Sequence, residues 1–104
     1  MQGINQDKIF IPKEQSHEFN TYHTFVIQTD CRDDLKDYLS SNGIGSAIHY
    51  PVPIHLQPAS RNLGYKMGDF PITEKQSKKI LTLPINQSLT NEDLDRIISK
   101  INKF

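Results

Sequence analysis

Apolar residues in this chain change their spacing as the sequence advances, and that change limits the possible folds more than any other feature. The run Tyr22-His23-Thr24-Phe25-Val26-Ile27-Gln28-Thr29 is rich in aromatic and β-branched residues. It predicts a strand whose continuous Phe25-Val26-Ile27 stretch is covered on both faces. Leu35, Tyr38 and Leu39 then recur at one-turn spacing, the buried stripe of a helix. Ile44 to Tyr50 reads as a second strand and Ile80 to Leu83 as a third. Leu94, Ile97, Ile98 and Ile101 form a last helical stripe, with Glu92, Asp95, Arg96 and Lys100 mostly facing away. A chain patterned in both ways must build a sheet and cover it with helices. The predicted fold is α+β: a small three-stranded sheet with helices packed mainly on one face, in the order strand, helix, strand, short helix, helix, strand, helix.

Punctuation supports these elements. Asp30 stands where an N-cap would, and Asp33 and Asp34 put negative charge at the positive end of the first helix. Asn42-Gly43 ends that helix, because glycine takes a left-handed conformation without steric cost. Pro51-Val52-Pro53 breaks the second strand, since proline has no amide to donate and forces its predecessor into extended geometry. A short helix is expected within Ile54 to Leu63, closed by Gly64. Pro71 suits the first turn of the next helix, where Glu74 and Lys78 make a favourable i,i+4 pair. Thr90 and Asp93 form a capping box with aspartate in place of glutamate, and Leu89 and Leu94 occupy the positions of a hydrophobic staple. Residues 1–21, with Ile9-Phe10-Ile11 stopped by Pro12, read as a lead-in arm, and residues 22–104 as one small domain.

Composition excludes several classes of function. Twelve basic and twelve acidic residues cancel and are interspersed, so no basic patch marks a nucleic-acid partner. No apolar stretch is long enough to span a membrane, and the first residues lack the pattern of a secretory signal. A single cysteine, Cys31, rules out an internal disulfide and a multi-cysteine zinc site, and the expected location is the cytoplasm.

Chemistry-bearing residues are densest in His49-Tyr50-Pro51-Val52-Pro53-Ile54-His55-Leu56-Gln57-Pro58. Two imidazoles, a phenol and a carboxamide gather around a proline-stiffened turn that follows a strand, a common place for groups that contact a ligand. The residues alone favour a structural turn whose polar groups satisfy local amides over a ligand site. A metal site from His17, His23, His49 and His55 is disfavoured, because no acidic third ligand stands at a recognisable spacing. No glycine-rich phosphate loop and no nucleophile elbow is present.

From Tyr22 to Pro84 the chain resembles the C-terminal part of the DegT/StrS-type sugar aminotransferases. The resemblance rests on successive blocks: Tyr22 to Ile27; Arg32-Asp33-Asp34-Leu35 through Asn42-Gly43-Ile44-Gly45; and the His49 to Pro58 segment, which is the most specific. Leu63-Gly64-Tyr65 with Gly68-Asp69-Phe70-Pro71 follows, and then Ile80-Leu81-Thr82-Leu83-Pro84.

The resemblance implies a pyridoxal-phosphate (PLP) enzyme that moves an amino group, usually from glutamate, to a keto-sugar nucleotide. It implies that a lysine of a large domain holds the PLP and that the working enzyme is a homodimer. The motif around that lysine is absent from this sequence; Lys66, between Tyr65 and Met67, does not resemble it. The chain is therefore expected to be a C-terminal small domain, inactive and without PLP on its own, whose partners are the large domain and the nucleotide-sugar substrate. By the same resemblance His49 and Tyr50 are expected near the sugar nucleotide, with His55 and Gln57 as neighbours. The competing readings are a free-standing small-molecule-binding or regulatory module and a protein-interaction domain.

Overall fold

In the computed structural model, which describes residues 3–104, the sheet is built from the two most β-prone runs. Strand β1 covers Phe25–Gln28 and strand β2 covers Ile80–Leu83. They pair antiparallel, with Phe25 opposite Leu83, Val26 opposite Thr82, Ile27 opposite Leu81 and Gln28 opposite Ile80. Phe25 and Ile27 are buried while Val26 and Gln28 are half-buried, so β1 alternates rather than being fully covered on both faces. β1 begins later than Tyr22 because Tyr22 adopts a φ of 50°, a left-handed turn that no strand can include.

The third strand expected over Ile44 to Tyr50 does not form. That segment contributes one bridge, in which Ala47 and Thr82 exchange two backbone hydrogen bonds of 3.1 and 2.7 Å. Gly45 weakens the segment before the bridge, and Pro51 and Pro53 remove donors beyond it, so the ladder cannot extend. On the other edge of the sheet, Phe10 bridges Gln28 in the same manner.

Helix α1 runs over Arg32–Ser41 and turns Leu35 and Leu39 fully inward. Its N-cap is Cys31, without a side-chain cap, rather than Asp30. The carboxylate of Asp30 is taken by the Lys79 ammonium, which holds it below the usual carboxylate range. Thr29 Oγ1 accepts from the Cys31 amide at 3.3 Å instead. Gly43, at φ 73°, ends the helix as expected. Two 3₁₀ turns, Ile54–Leu56 and Pro58–Leu63, occupy the stretch expected to hold a short helix. Helix α2 spans Pro71–Ser77 and helix α3 spans Asn91–Lys103.

The core joins Phe25, Ile27, Leu81 and Leu83 of the sheet with Leu35 and Leu39 of α1 and Ile97 and Ile101 of α3. Ile4 and Ile9 of the N-terminal segment are buried in the same cluster. The Asn5 amide donates to Asn102 Oδ1 at 2.7 Å, and Asn102 Nδ2 donates to the Gly3 carbonyl at 2.8 Å, fixing that segment to the end of α3. Among the described residues no helix is long and apolar enough to cross a membrane.

The capping box at α3 is complete: Thr90 Oγ1 accepts from the Asp93 amide at 3.1 Å, and Asp93 Oδ2 accepts from the Thr90 amide at 3.0 Å. Leu89 and Leu94 are half-buried and line one apolar groove. The Thr90 amide and hydroxyl, with help from Arg96, hold the Asp93 carboxyl below its ordinary 3.8. A depressed carboxylate contributes stability above its ordinary value and loses it as pH falls through its folded value. Thr90→Ala is therefore expected to cost about 1 kcal/mol at neutral pH, read from denaturant midpoints. That difference should narrow as pH falls below 3.8, where the wild type loses the hydroxyl-to-carboxylate bond as well. A difference that widens on acidification contradicts this.

Candidate functional site

The edge of β2 decides where the 49–58 segment runs. Ala47 is bonded to Thr82, so two residues later His49 lies alongside the same strand. Its Nδ1 is 3.1 Å from Thr82 Oγ1, and this contact helps bury Thr82 on the sheet face away from Leu81 and Leu83. The Tyr50 ring packs edge-on against the His49 ring, centroids 5.6 Å apart, and the peptide joining them is cis. Both side chains are exposed, Tyr50 by 72 %. A phenol and a tethered imidazole therefore stand together at the surface.

Past the prolines the polar groups turn inward. His55 sits in the first 3₁₀ turn and is buried, with Nε2 2.8 Å from Glu74 Oε1. A carboxylate only accepts, so the His55 Nε2 carries the hydrogen. Glu74 also accepts from the Gly68 amide, at 2.8 and 3.0 Å to its two oxygens, and from the Phe70 amide at 3.4 Å. Burial pushes the Glu74 carboxyl up, but the hydrogen bonds from His55, Gly68 and Phe70 and the charge of the imidazole outweigh it and leave the carboxyl below its usual range. The Phe70 ring meets His55 edge-on at 4.8 Å, and Tyr65 meets Phe70 at 5.3 Å. Gln57 Nε2 donates to the Val52 carbonyl at 3.2 Å, and Ser60 Oγ donates to the Ile54 carbonyl at 2.6 Å.

The four sequence-predicted residues thus separate into two pairs. His49 and Tyr50 are presented at the surface, whereas His55 bonds inward to Glu74 of α2 and Gln57 bonds back to Val52. Glu74 is the residue that sequence reasoning places wrongly. Its spacing predicts a pair with Lys78, yet no ion pair joins the two among the described residues, and its carboxylate reaches back to the preceding loop. A carboxylate in the first turn of a helix opened by Pro71 is well placed to collect amides at and before the helix N-terminus. The N-cap Phe70 and the loop residue Gly68 supply two of them.

Binding PLP takes an enclosed lysine, donors for its phosphate and an acidic partner for its ring nitrogen. Every lysine of the described residues is exposed or half-buried, and Lys79 is engaged with Asp30. Lys78 borders a pocket of about 230 Å3 beneath the proline turn, but Pro51, Val52, Pro53, Leu56 and Met67 wall most of it, its carboxylate, Glu74, is taken by His55, Gly68 and Phe70, and no second cation faces it. These residues do not fit a complete PLP site. Nor does any group of three or more His, Cys, Asp or Glu side chains among the described residues fit a metal ion.

The model of the DegT/DnrJ/EryC1/StrS aminotransferase family matches residues 1–102. A protein of Geobacillus stearothermophilus named a pleiotropic regulatory protein is 37 % identical over 98 residues, which make up 94 % of this chain and 26 % of that protein. The dTDP-3-amino-3,4,6-trideoxy-α-D-glucose transaminase of Streptomyces venezuelae is 34 % identical over 83 residues, 80 % of this chain and 22 % of that protein. The crystal structure of S. venezuelae DesV in complex with a ketimine intermediate superposes with a TM-score of 0.92 at 30 % identity, covering 98 % of this chain and 28 % of that one. The chain spans about a quarter of the length of the curated relatives it matches.

Proposed function

The chain belongs to the DegT/DnrJ/EryC1/StrS aminotransferase family, and we propose that it serves as the C-terminal quarter of an enzyme that moves an amino group from glutamate to a keto-sugar nucleotide through PLP. A large domain of the same polypeptide holds the cofactor and its lysine, and residues 1–21 lead in from it. The working enzyme is a cytoplasmic homodimer. His49 and Tyr50 meet the sugar nucleotide, and His55 and Gln57 shape the loop that presents them.

The observation that most supports this reading is the likeness to DesV, which extends over 98 % of the chain. The activity named for the S. venezuelae transaminase supports a nucleotide-linked amino sugar as the product class. The chemistry of the exposed pair suits such a substrate, since an imidazole and a phenol offer hydrogen bonds to sugar hydroxyls or phosphate oxygens from stiff side chains. Thr82 engages Nδ1 of His49, which leaves Nε2 as the ring nitrogen for a ligand. Ile54, Leu63, Met67 and Ile72 stay 65–77 % exposed, an apolar surface of the kind that packs on a further domain. The free, exposed Cys31 fits a reducing compartment. A free-standing regulatory or interaction module is not favoured, because the family match runs over residues 1–102.

The test separates the chain from the longer polypeptide. Mixed with PLP and desalted, the chain alone is expected to retain no cofactor and to convert no glutamate. A polypeptide that also carries the large domain should retain PLP and release 2-oxoglutarate from glutamate in proportion to the keto-sugar nucleotide supplied. One PLP retained per isolated chain contradicts the division of labour proposed.

A further inference from the structure

Glu74 is a carboxylate that ties together two loop segments lying apart in sequence. It stands at the start of α2, its side chain only 12 % exposed, and accepts hydrogen bonds from two directions. From one side comes His55, nineteen residues earlier, in the turn that follows Pro51-Val52-Pro53. From the other come the amides of Gly68 and Phe70, in the loop that precedes α2. Four of its contacts, at 2.8, 2.8, 3.0 and 3.4 Å, converge on two oxygens, and three of them fall on Oε1.

Apart from Glu74, both segments are held largely by short-range bonds. The 64–70 loop has φ values of 79° at Gly64 and 95° at Gly68, and its residues are exposed. Its other polar anchors are the Lys66 amide to Asp69 Oδ2 at 2.9 Å and the Asp69 amide to the Lys66 carbonyl at 3.2 Å, both within the loop, and the Glu74 amide to the Phe70 carbonyl at 3.0 Å, where the chain enters α2. The proline turn is likewise braced locally, by Gln57 to Val52 and Ser60 to Ile54. The link between the two runs through Glu74, the His55–Phe70 ring contact and the small apolar pocket shared by Pro51, Val52, Leu56 and Met67. Since Val52 follows Tyr50 by two residues, any shift of the turn is passed to the exposed His49–Tyr50 pair.

We propose that Glu74 is a positioning residue that holds the 64–70 loop and the proline turn as one unit and thereby sets the placement of His49 and Tyr50. The role assigned to that pair rests on the substrate reading above, but the clamp itself is read without any ligand. The geometry also says which replacement fails. Alanine removes every acceptor, whereas glutamine keeps a carbonyl oxygen where three of the four contacts converge and loses the one made by the second oxygen.

The experiment is residue-resolved amide hydrogen exchange and proton–nitrogen NMR on the full chain, as wild type, Glu74→Ala and Glu74→Gln. In Glu74→Ala the Gly68 and Phe70 amides are expected to exchange at least about tenfold faster. The His49, Tyr50 and His55 resonances should move with them, while the β1 and β2 amides of Ile27 and Leu81 keep their protection. Glu74→Gln should restore most of the protection and return the resonances of His49 and Tyr50 towards their wild-type positions. Unchanged Gly68 and Phe70 exchange in the alanine variant overturns the clamp. So does an equal loss at Ile27 and Leu81, which would make Glu74 a matter of overall stability. Stationary His49 and Tyr50 resonances, or a glutamine variant as loose as the alanine one, overturn the positioning role. A nucleotide sugar that fails to bind the enzyme overturns the substrate reading and leaves these exchange results as they stand.

Discussion

Leu81→Ala is expected to destabilise the chain by about 2–5 kcal/mol, the usual cost of truncating a leucine in a tightly packed core. Leu81 is 0 % exposed, lies opposite Ile27 in the sheet register and belongs to the cluster that includes Leu35 and Leu39 of α1. Removing its branched end takes contacts from both layers at once, and among the described residues the antiparallel pair is flanked only by single bridges, at Phe10 and Ala47, through which to redistribute the strain. A chain of 104 residues has a total stability of about 5–15 kcal/mol, so the substitution removes a large share of it. Denaturant unfolding followed by far-ultraviolet circular dichroism reads the effect as a lower midpoint. Leu63→Ala provides the control, because Leu63 is 67 % exposed and should stay within about 0.5 kcal/mol of wild type. Equal midpoints for the two variants contradict the placement of the core between the sheet and its helices.

The elements that were legible in the sequence are those whose signals are local. Strand β2 occupies the expected Ile80 to Leu83, and α3 begins at the Thr90–Asp93 box and buries Ile97 and Ile101 from its apolar stripe. Gly43 and Pro71 punctuate the chain where their backbone preferences require. What the sequence hid depends on partners distant along the chain. Asp30 has the chemistry of an N-cap, but Lys79 competes for it across the end of the sheet and wins with a full charge. Glu74 has the spacing of a surface ion pair with Lys78, but a buried histidine and two loop amides offer it more hydrogen bonds. Ile44 to Tyr50 has strand-like composition, yet a two-bond bridge at Ala47 is all the sheet takes from it before the prolines intervene. The 49–58 segment was visible as a dense group of polar side chains. Which of them face solvent and which brace the loop is set by Thr82 and Glu74, residues that no local pattern connects to it.

The second large effect is expected in the enzyme that carries this chain with its large domain. His49→Ala and Tyr50→Phe should each slow the half-reaction with the keto-sugar nucleotide and spare the half-reaction with glutamate. Tyr50→Phe removes only the hydroxyl of a side chain that is 72 % exposed, so the fold has little to lose there, whereas His49→Ala also takes the 3.1 Å partner from the buried Thr82 hydroxyl. A bond to a neutral hydroxyl contributes about 0.5–1.5 kcal/mol, and one to a phosphate oxygen more. In specificity for the sugar nucleotide this amounts to roughly threefold to more than tenfold. Glutamate is far smaller than a sugar nucleotide, and groups that meet only the larger substrate leave its reaction unchanged. The measurement is single-turnover kinetics of the two half-reactions, side by side, for wild type and both variants. A loss confined to the sugar half-reaction, with the melting temperature of Tyr50→Phe unchanged, is the result expected of residues that meet the substrate. Equal rates in both half-reactions at wild-type values, accompanied by melting several degrees lower, would make the pair structural and contradict the assignment of this loop to the sugar nucleotide.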